Sequence, residues 1–423
     1  MAEKRDMLDD LIDIQSDWNA VSNPLGGIAD TLAQDPDKMP VYNPSDYKER
    51  PRPMSTSCLR IASKRADACS ACVDVCPVDA LSFSGTSVQV APNCRKCGLC
   101  VAACPTEALL SQKIMSRELY NKIARAASTY EQCYVTCTRA LGRIPKPNEV
   151  LLPCVGVVSS ELWLALLVDY DNISVYLPLG ICDKCRTTTG EEAYVNQITR
   201  GEELSKYAVS LEVDERNLNH EQSRAYKRSQ FMGNVAQAGM RMATAGSAAL
   251  SGAAAITKKI QDHNKQLNAL QRSLEKEVGE KTAASRRRIL TQRRKVMLSA
   301  YQKRPDLSRR AGLEVPRCDT TLCTSCGDCV TACTLHVCDL DARGHFAAEA
   351  AYCMNCGACV RACPEHALAM VACNPADLVV PDEEAERKKR EAAKAKAQMQ
   401  EMSDKGKRQL KKGLDALERL ADD

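Results

Sequence analysis

The spacing of the cysteines constrains this chain more than any other feature. From Cys94 the sequence runs Cys-x2-Cys-x2-Cys-x3-Cys-Pro through Cys97, Cys100, Cys104 and Pro105. The run recurs as Cys353, Cys356, Cys359 and Cys363-Pro364, and again as Cys323, Cys326, Cys329 and Cys333 with Thr334 in place of proline. A fourth, shortened run holds Cys69, Cys72 and Cys76-Pro77; Ala66 stands where its first thiol would be, and Cys58 lies eleven residues before Cys69. Four thiols packed into one such run would strain a structural zinc site, which favours two separated pairs. Disulfides are not needed either, because a chain of 423 residues can bury a sizeable core. The start, Met1-Ala2-Glu3-Lys4-Arg5-Asp6, has mixed charge and no apolar signal segment. A cytoplasmic location is expected, and in a reducing compartment patterned cysteines serve as ligands or redox centres.

These runs resemble those of the bacterial two-cluster ferredoxins, down to the Cys-Pro-x2-Ala ending seen from Cys76 to Ala80, Cys104 to Ala108 and Cys363 to Ala367. In that family three closely spaced thiolates wrap one [4Fe–4S] cube and the fourth ligates its neighbour. Two-residue gaps let the loop curl with its N–H groups toward the sulfides, and the proline turns the chain away. The resemblance implies four [4Fe–4S] clusters in two small domains, at residues 57–112 and 311–376. Crossed pairing assigns Cys58, Cys69, Cys72 and Cys104 to one cluster and Cys94, Cys97, Cys100 and Cys76 to the next. In the second domain it assigns Cys323, Cys326, Cys329 and Cys363, then Cys353, Cys356, Cys359 and Cys333. The alternative for Cys58 is a bystander thiol beside a three-cysteine cluster. Cys318, Cys338 and Cys373 are surplus and default to buried thiols, Cys318 being close enough in sequence to Cys323 to substitute for a ligand. His336 and His366 read as surface residues.

A third group lies between these domains, at residues 113–214: Cys133-x3-Cys137, Cys154 and Cys182-x2-Cys185. Glu149 to Leu152 reads as a strand, Ser159 to Val168 as a helix and Ile173 to Leu179 as the next strand, a βαβ unit. Its cysteines are expected just past the carboxyl ends of the strands, where open parallel sheets hold ligands. The order of Cys pair, lone Cys in Leu152-Pro153-Cys154-Val155-Gly156, and second pair after Gly180 resembles the delta subunit of methyl-viologen-reducing hydrogenases. That family associates a small α/β domain with a [2Fe–2S] centre that passes electrons to a larger enzyme. Five cysteines compete here for four positions, and an iron–sulfur centre, zinc or a redox dithiol all remain open.

The fold class expected is α+β: two ferredoxin-like two-cluster domains, a small α/β (βαβ) domain and long helical segments. Residues 1–56 read as an N-terminal arm, 215–310 as a helical basic linker and 377–423 as a charged helical tail. Within the linker, Ile260, Leu267 and Leu274 recur every seven residues with Leu270 between them, a packing seam in which His263 is a packed or solvated helix residue. Residues 231–256 form a small-residue helix. The longest apolar run, Met242 to Thr257, is 16 residues, short of a membrane span, although contact with a membrane surface stays open.

Net charge is only +4, but Lys281 to Arg310 holds 11 Lys or Arg against Asp306 alone, so the rest of the chain is acidic before any cluster is counted. One aromatic, Tyr301, and no recognisable reading module argue against nucleic acid. A partner or intramolecular surface, a solvated helix, and anionic lipid are the other readings of that stretch. No flavin or nicotinamide fingerprint, molybdenum-site signature or acid–base pair is visible, so no catalytic residue is nominated. The chain reads as an iron–sulfur electron-transfer subunit passing single electrons between partner redox subunits of a larger oxidoreductase complex. Rival readings are a catalytic subunit that reduces a disulfide or small thiol at the middle cysteines, and a cluster-containing nucleic-acid-binding protein.

Overall fold

The computed structural model describes residues 50–63, 69–111, 114–222, 260–275, 288–341 and 343–380. The N-terminal arm up to residue 49, the small-residue helix at 231–256, the basic residues 281–287 and the tail from 381 lie outside the described residues.

The first cysteine-rich unit is framed by short strands β1 (Arg52–Pro53), β2 (Leu81–Ser84), β3 (Ser87–Val90) and β4 (Leu109–Leu110). β1 pairs antiparallel with β4, and β2 with β3. The β2–β3 hairpin turns on Gly85 at φ +46°, a left-handed conformation that a two-residue turn requires and glycine accepts without strain. The last unit repeats this plan. β9 (Glu314–Cys318) pairs with β12 (Leu368–Ala372), and β10 (Cys338–Leu340) with β11 (Phe346–Ala348), again antiparallel.

Between them stands a four-stranded parallel sheet of β5 (Cys133–Cys137), β6 (Glu149–Leu152), β7 (Ile173–Tyr176) and β8 (Ser210–Glu212), ordered β6-β5-β7-β8. Every residue of β5, β6 and β7 is buried, as expected of parallel strands covered on both faces. The longer helices among the described residues are α1 (Ser116–Thr129), α2 (Ser160–Asp169), α3 (Gly190–Ser205), α4 (260–275) and α5 (Gln292–Lys303). Ser159 caps α2 by accepting from Leu162 N at 3.4 Å. The expected βαβ unit is present as β6-α2-β7, but β5 lies between its two strands. The sequence pattern alone does not mark β5 as a strand.

The basic stretch gives the larger surprise. α5 lies inside the described part of the chain: Arg293 through Tyr301 are all buried, and α5 packs on α2 and α1. Thr291 caps it, accepting from Arg294 N at 3.3 Å. Lys303 Nζ donates to Asp169 Oδ2 at 2.6 Å, and Tyr120 O–H donates to the same oxygen at 2.5 Å, so α1, α2 and α5 meet at one carboxylate. The seam on α4 is buried as its heptads imply, at Ile260, Leu267, Leu270 and Leu274. His263 is packed there, its ring stacked on Tyr120 with centroids 4.0 Å apart.

Candidate iron–sulfur centres

Among the described residues, four open cavities of similar size are each lined by cysteines. Cavity A is lined by Cys58, Cys69, Cys72 and Cys104, and cavity B by Cys76, Cys94, Cys97 and Cys100. Cavity C is lined by Cys333, Cys353, Cys356 and Cys359, with Cys338 as a fifth thiol. Cavity D is lined by Cys323, Cys326, Cys329 and Cys363, with Cys318 as a fifth. His336 is half-buried and His366 exposed, and neither lines a cavity.

The backbone around these thiols repeats. Between the first two cysteines of three loops, Lys96, Ser325 and Asn355 take φ of 57°, 57° and 53°, and Gly98, Gly327 and Gly357 follow the second cysteine at 81°, 82° and 67°. Three residues after the distal cysteines, Asp79, Glu107, His336 and His366 are left-handed too, at 47°, 50°, 54° and 49°. That turn aims the next N–H back at the sulfur. Ala80 N donates to Cys76 Sγ at 3.3 Å, Ala108 N to Cys104 at 3.1 Å, Val337 N to Cys333 at 3.3 Å and Ala367 N to Cys363 at 3.3 Å. Lys96 N and Ser325 N reach Cys94 and Cys323, both at 3.4 Å. Hydrogen bonds of this kind favour the charged form of a sulfur and tune a cluster it ligates.

The donor sets fit a highly charged cationic group. Burial, followed by the neighbouring thiols Cys104, Cys69 and Cys58, pushes Cys72 up to about 12. Burial likewise lifts Cys329 and Cys356 to about 11, with other cavity thiols adding to the rise. Such crowding opposes ionisation of all four sulfurs unless positive charge occupies the space between them. Among the described residues, no three His, Cys, Asp or Glu side chains are gathered as a single metal ion would need. Thiols spread around an open cavity suit a cluster better. Cys338 acts differently: its thiol, beside Cys333, is the main cause that holds Cys333 down at about 6.

In the middle domain, Cys137 ends β5, Cys154 follows β6, and Cys182 and Cys185 lie in the loop after β7. All four lie at or just past the carboxyl ends of these strands. Burial pushes Cys154 up to about 12, with Cys137, Cys97 and Cys185 as its charged neighbours; Cys182 rises to about 11 from burial, Glu191, Cys137 and Cys185. Ala140 N donates to Cys137 Sγ at 3.4 Å and Thr187 N to Cys185 Sγ at 3.5 Å. Gly190, opening α3, leaves room for the group: a Cβ there would lie 3.1 Å from Cys154 Sγ. Cys133 does not join them. It begins β5, so four strand steps of about 3.3 Å put it roughly 13 Å from Cys137. Its S–H points at Ile123 O, 3.8 Å away, and burial alone raises it to about 12. Cys133 was expected to compete for the centre; it lies at the amino end of β5, opposite the end that carries Cys137.

The thiol groups are neighbours in a row. Cys154 is next to Cys97 of cavity B, and Cys100 of cavity B is next to Cys72 of cavity A. Cavities A and C share Leu59 and Thr106 as lining residues, although they belong to different domains. Cys359 of cavity C neighbours Cys329 of cavity D.

Residues 322–368 match the family model of the 4Fe-4S dicluster domain, and residues 63–79 with 91–107 match that of the 4Fe-4S binding domain. The chain carries two ferredoxin-type 4Fe-4S domains. They suggest an iron–sulfur electron-transfer role. No curated protein and no solved structure matches the chain. Among the described residues, no helix is long and apolar enough to cross a membrane.

Sequence reasoning missed Arg293 and Arg294, which reach the cysteine loops from α5. Arg293 donates to Ala102 O at 2.5 Å and to Cys104 O, and Arg294 donates to Cys353 O. A consecutive Arg pair that leads straight into the mostly apolar stretch Val296 to Tyr301 of the same helix was the available signal.

Proposed function

We propose that this chain is the iron–sulfur subunit of a cytoplasmic oxidoreductase complex, passing single electrons between partner redox subunits through four [4Fe–4S] clusters and a fifth centre in the middle domain. What supports the reading most is the unbroken adjacency of five thiol groups, from the middle cysteines through cavities B, A and C to D. Cavity A would use Cys58, Cys69, Cys72 and Cys104; cavity B Cys94, Cys97, Cys100 and Cys76; cavity C Cys353, Cys356, Cys359 and Cys333; cavity D Cys323, Cys326, Cys329 and Cys363. The middle centre would use Cys137, Cys154, Cys182 and Cys185. A convergent set of that composition suits a [2Fe–2S] group, in keeping with the resemblance to the hydrogenase delta subunit.

Bound clusters supply one-electron redox chemistry with little change of geometry. The chain's own residues do the rest. Thiolates hold each group, the N–H donors of Ala80, Ala108, Val337 and Ala367 offset negative charge at a ligand sulfur, and burial excludes water. The row has two ends. One is the middle site, where Leu179 in the loop leading to Cys182 is 84% exposed; the other is cavity D, where Cys326 is exposed and Leu322, next in sequence to Cys323, is half-exposed. Donor and acceptor subunits are assigned to these ends. Of the described basic residues in that stretch, Arg288, Arg293, Arg294 and Lys295 are buried while Lys303, Arg309 and Arg310 are exposed, and the buried four support an intramolecular role for it.

Anaerobic purification followed by iron analysis and low-temperature EPR tests the proposal. About 16 or more irons per chain and cubane signals on reduction are expected, and far fewer would refute it. Cys154→Ser should remove one signal without abolishing a substrate reaction; loss of disulfide reduction instead would favour a catalytic middle site.

A further inference from the structure

The junction between the two ferredoxin-type domains is built around the first turn of α5. Glu107, in the turn after Cys104, accepts from Gln292 N and Arg293 N, both at 2.8 Å, so a carboxylate of the first domain sits on the amino end of α5. On the other side, Ile289 N donates to Leu335 O at 2.9 Å and Thr291 O–H reaches Met354 Sδ at 3.2 Å, both in the second domain. The two arginines then diverge. Successive helix residues are about 100° apart around the axis, and Arg293 grips the carbonyls of Ala102 and Cys104 while Arg294 grips that of Cys353. Cys104 lines cavity A and Cys353 lines cavity C, the two cavities that share Leu59 and Thr106. Both guanidiniums are buried, and Glu161 of α2 faces them. Burial would raise the Glu161 carboxyl, but Arg293 and Arg294 outweigh that and hold it below the usual range. Three domains therefore converge on two adjacent side chains.

We infer that Arg293 and Arg294 are a paired positioning element for electron transfer between the domains, fixing the separation of the groups in cavities A and C and favouring their reduced forms. The inference rests on the proposed cluster occupancy. A transfer across the junction would oxidise one of the two groups by one unit and reduce the other by one, in either direction. No bond forms or breaks and no proton moves. Each reduction adds a negative charge, and a fixed guanidinium hydrogen-bonded to a ligand cysteine's carbonyl stabilises that charge in a low-dielectric setting. An arginine suits this task better than a lysine, because its planar fork spans two carbonyls, as Arg293 does with Ala102 and Cys104.

The test uses the full-length, cluster-loaded chain, the double variant Arg293→Gln/Arg294→Gln, and the charge-preserving double variant Arg293→Lys/Arg294→Lys. Iron content, EPR of the dithionite-reduced protein and a potentiometric titration are recorded for each. Wild type should show magnetic splitting between two reduced clusters across the junction. With iron content unchanged, the Gln pair should lose that splitting and shift two midpoint potentials downward, and the Lys pair should lose the splitting with a smaller shift. Splitting and potentials unchanged in an iron-replete Gln pair overturn the inference. If the Gln pair fails to hold iron, the Lys pair decides by the same criteria: unchanged splitting in it overturns the inference, lost splitting supports it. Wild type with far fewer than about 16 irons would instead overturn the functional proposal.

Discussion

Gly156 is a close approach between the middle cysteines and the first ferredoxin-type domain, and Gly156→Ala tests that junction. The glycine lies two residues after Cys154, in the turn Val155–Val157. A Cβ there would sit 2.8 Å from Leu99 Cδ2, 3.0 Å from Ala193 Cβ and 3.2 Å from Tyr194 N. Leu99 is 1% exposed and cannot swing away, while the other two atoms belong to the frame of α3. The backbone is not left-handed at this position, so the cost is steric. Overpacking of this kind costs about 1–3 kcal/mol, and the lost flexibility of the unfolded chain returns about 0.4–1 kcal/mol. A net destabilisation of about 1–2 kcal/mol lowers the urea midpoint by about 0.3–1 M for m near 2–3 kcal/mol/M. Because the turn carries Cys154, the EPR signal of the middle centre should shift or vanish while the cubane signals persist. The assay is a urea titration followed by helix circular dichroism, with EPR of the same preparation. A midpoint within about 0.1 M of wild type, with an unaltered middle signal, would refute this account of the junction.

Cys133→Ala should leave the middle centre intact and cost only the loss of one small buried side chain, about 1 kcal/mol; disappearance of the middle EPR signal would return Cys133 to the ligand set. Glu149 is fully buried and accepts from Arg143 at 2.7 and 2.8 Å and from Lys146 N at 2.7 Å. Burial alone would raise its carboxyl, but these bonds outweigh it and hold it below the usual range. Its contribution is therefore present above the ordinary carboxylate range and lost as pH falls through the lowered value. Glu149→Gln should cost about 3 kcal/mol at pH 7 and flatten the acid limb of stability, as read from urea midpoints across pH 3 to 7; an unchanged acid limb would contradict this. At Gly201 an added Cβ would meet Trp163 Cβ at 2.4 Å, so Gly201→Ala should push α3 from α2 and destabilise by about 1–3 kcal/mol in the same titration. Wild-type stability in that variant would show that the helices repack freely.

The cysteine runs were legible because ligand spacing is a local property, and thiols close in sequence line the same cavities. The strand Glu149–Leu152 and the helix after Ser159 were legible for a similar reason, since an apolar run and an N-cap are short-range signals. β5 was not. Cys133 and Cys137 read as a ligand pair in a loop, yet Cys-Tyr-Val-Thr-Cys is a short apolar run that a central parallel position converts into a strand. Four residues apart in an extended chain, the two thiols lie at opposite ends of the sheet. The place of α5 was equally hidden. Eleven positive charges in a short stretch suggest a surface, and only the tertiary structure shows that Arg293 and Arg294 are buried against peptide carbonyls of the cysteine loops.

The central claim is that one chain carries a row of one-electron centres, and counting electrons tests it most directly. Stoichiometric dithionite titration of the anaerobic, iron-replete protein, followed in the visible spectrum and by EPR, should show uptake of about four electrons by the cubanes in one-electron steps, with a fifth taken by the middle centre. Saturation at two electrons or fewer, or uptake only as a two-electron dithiol couple, would contradict the account.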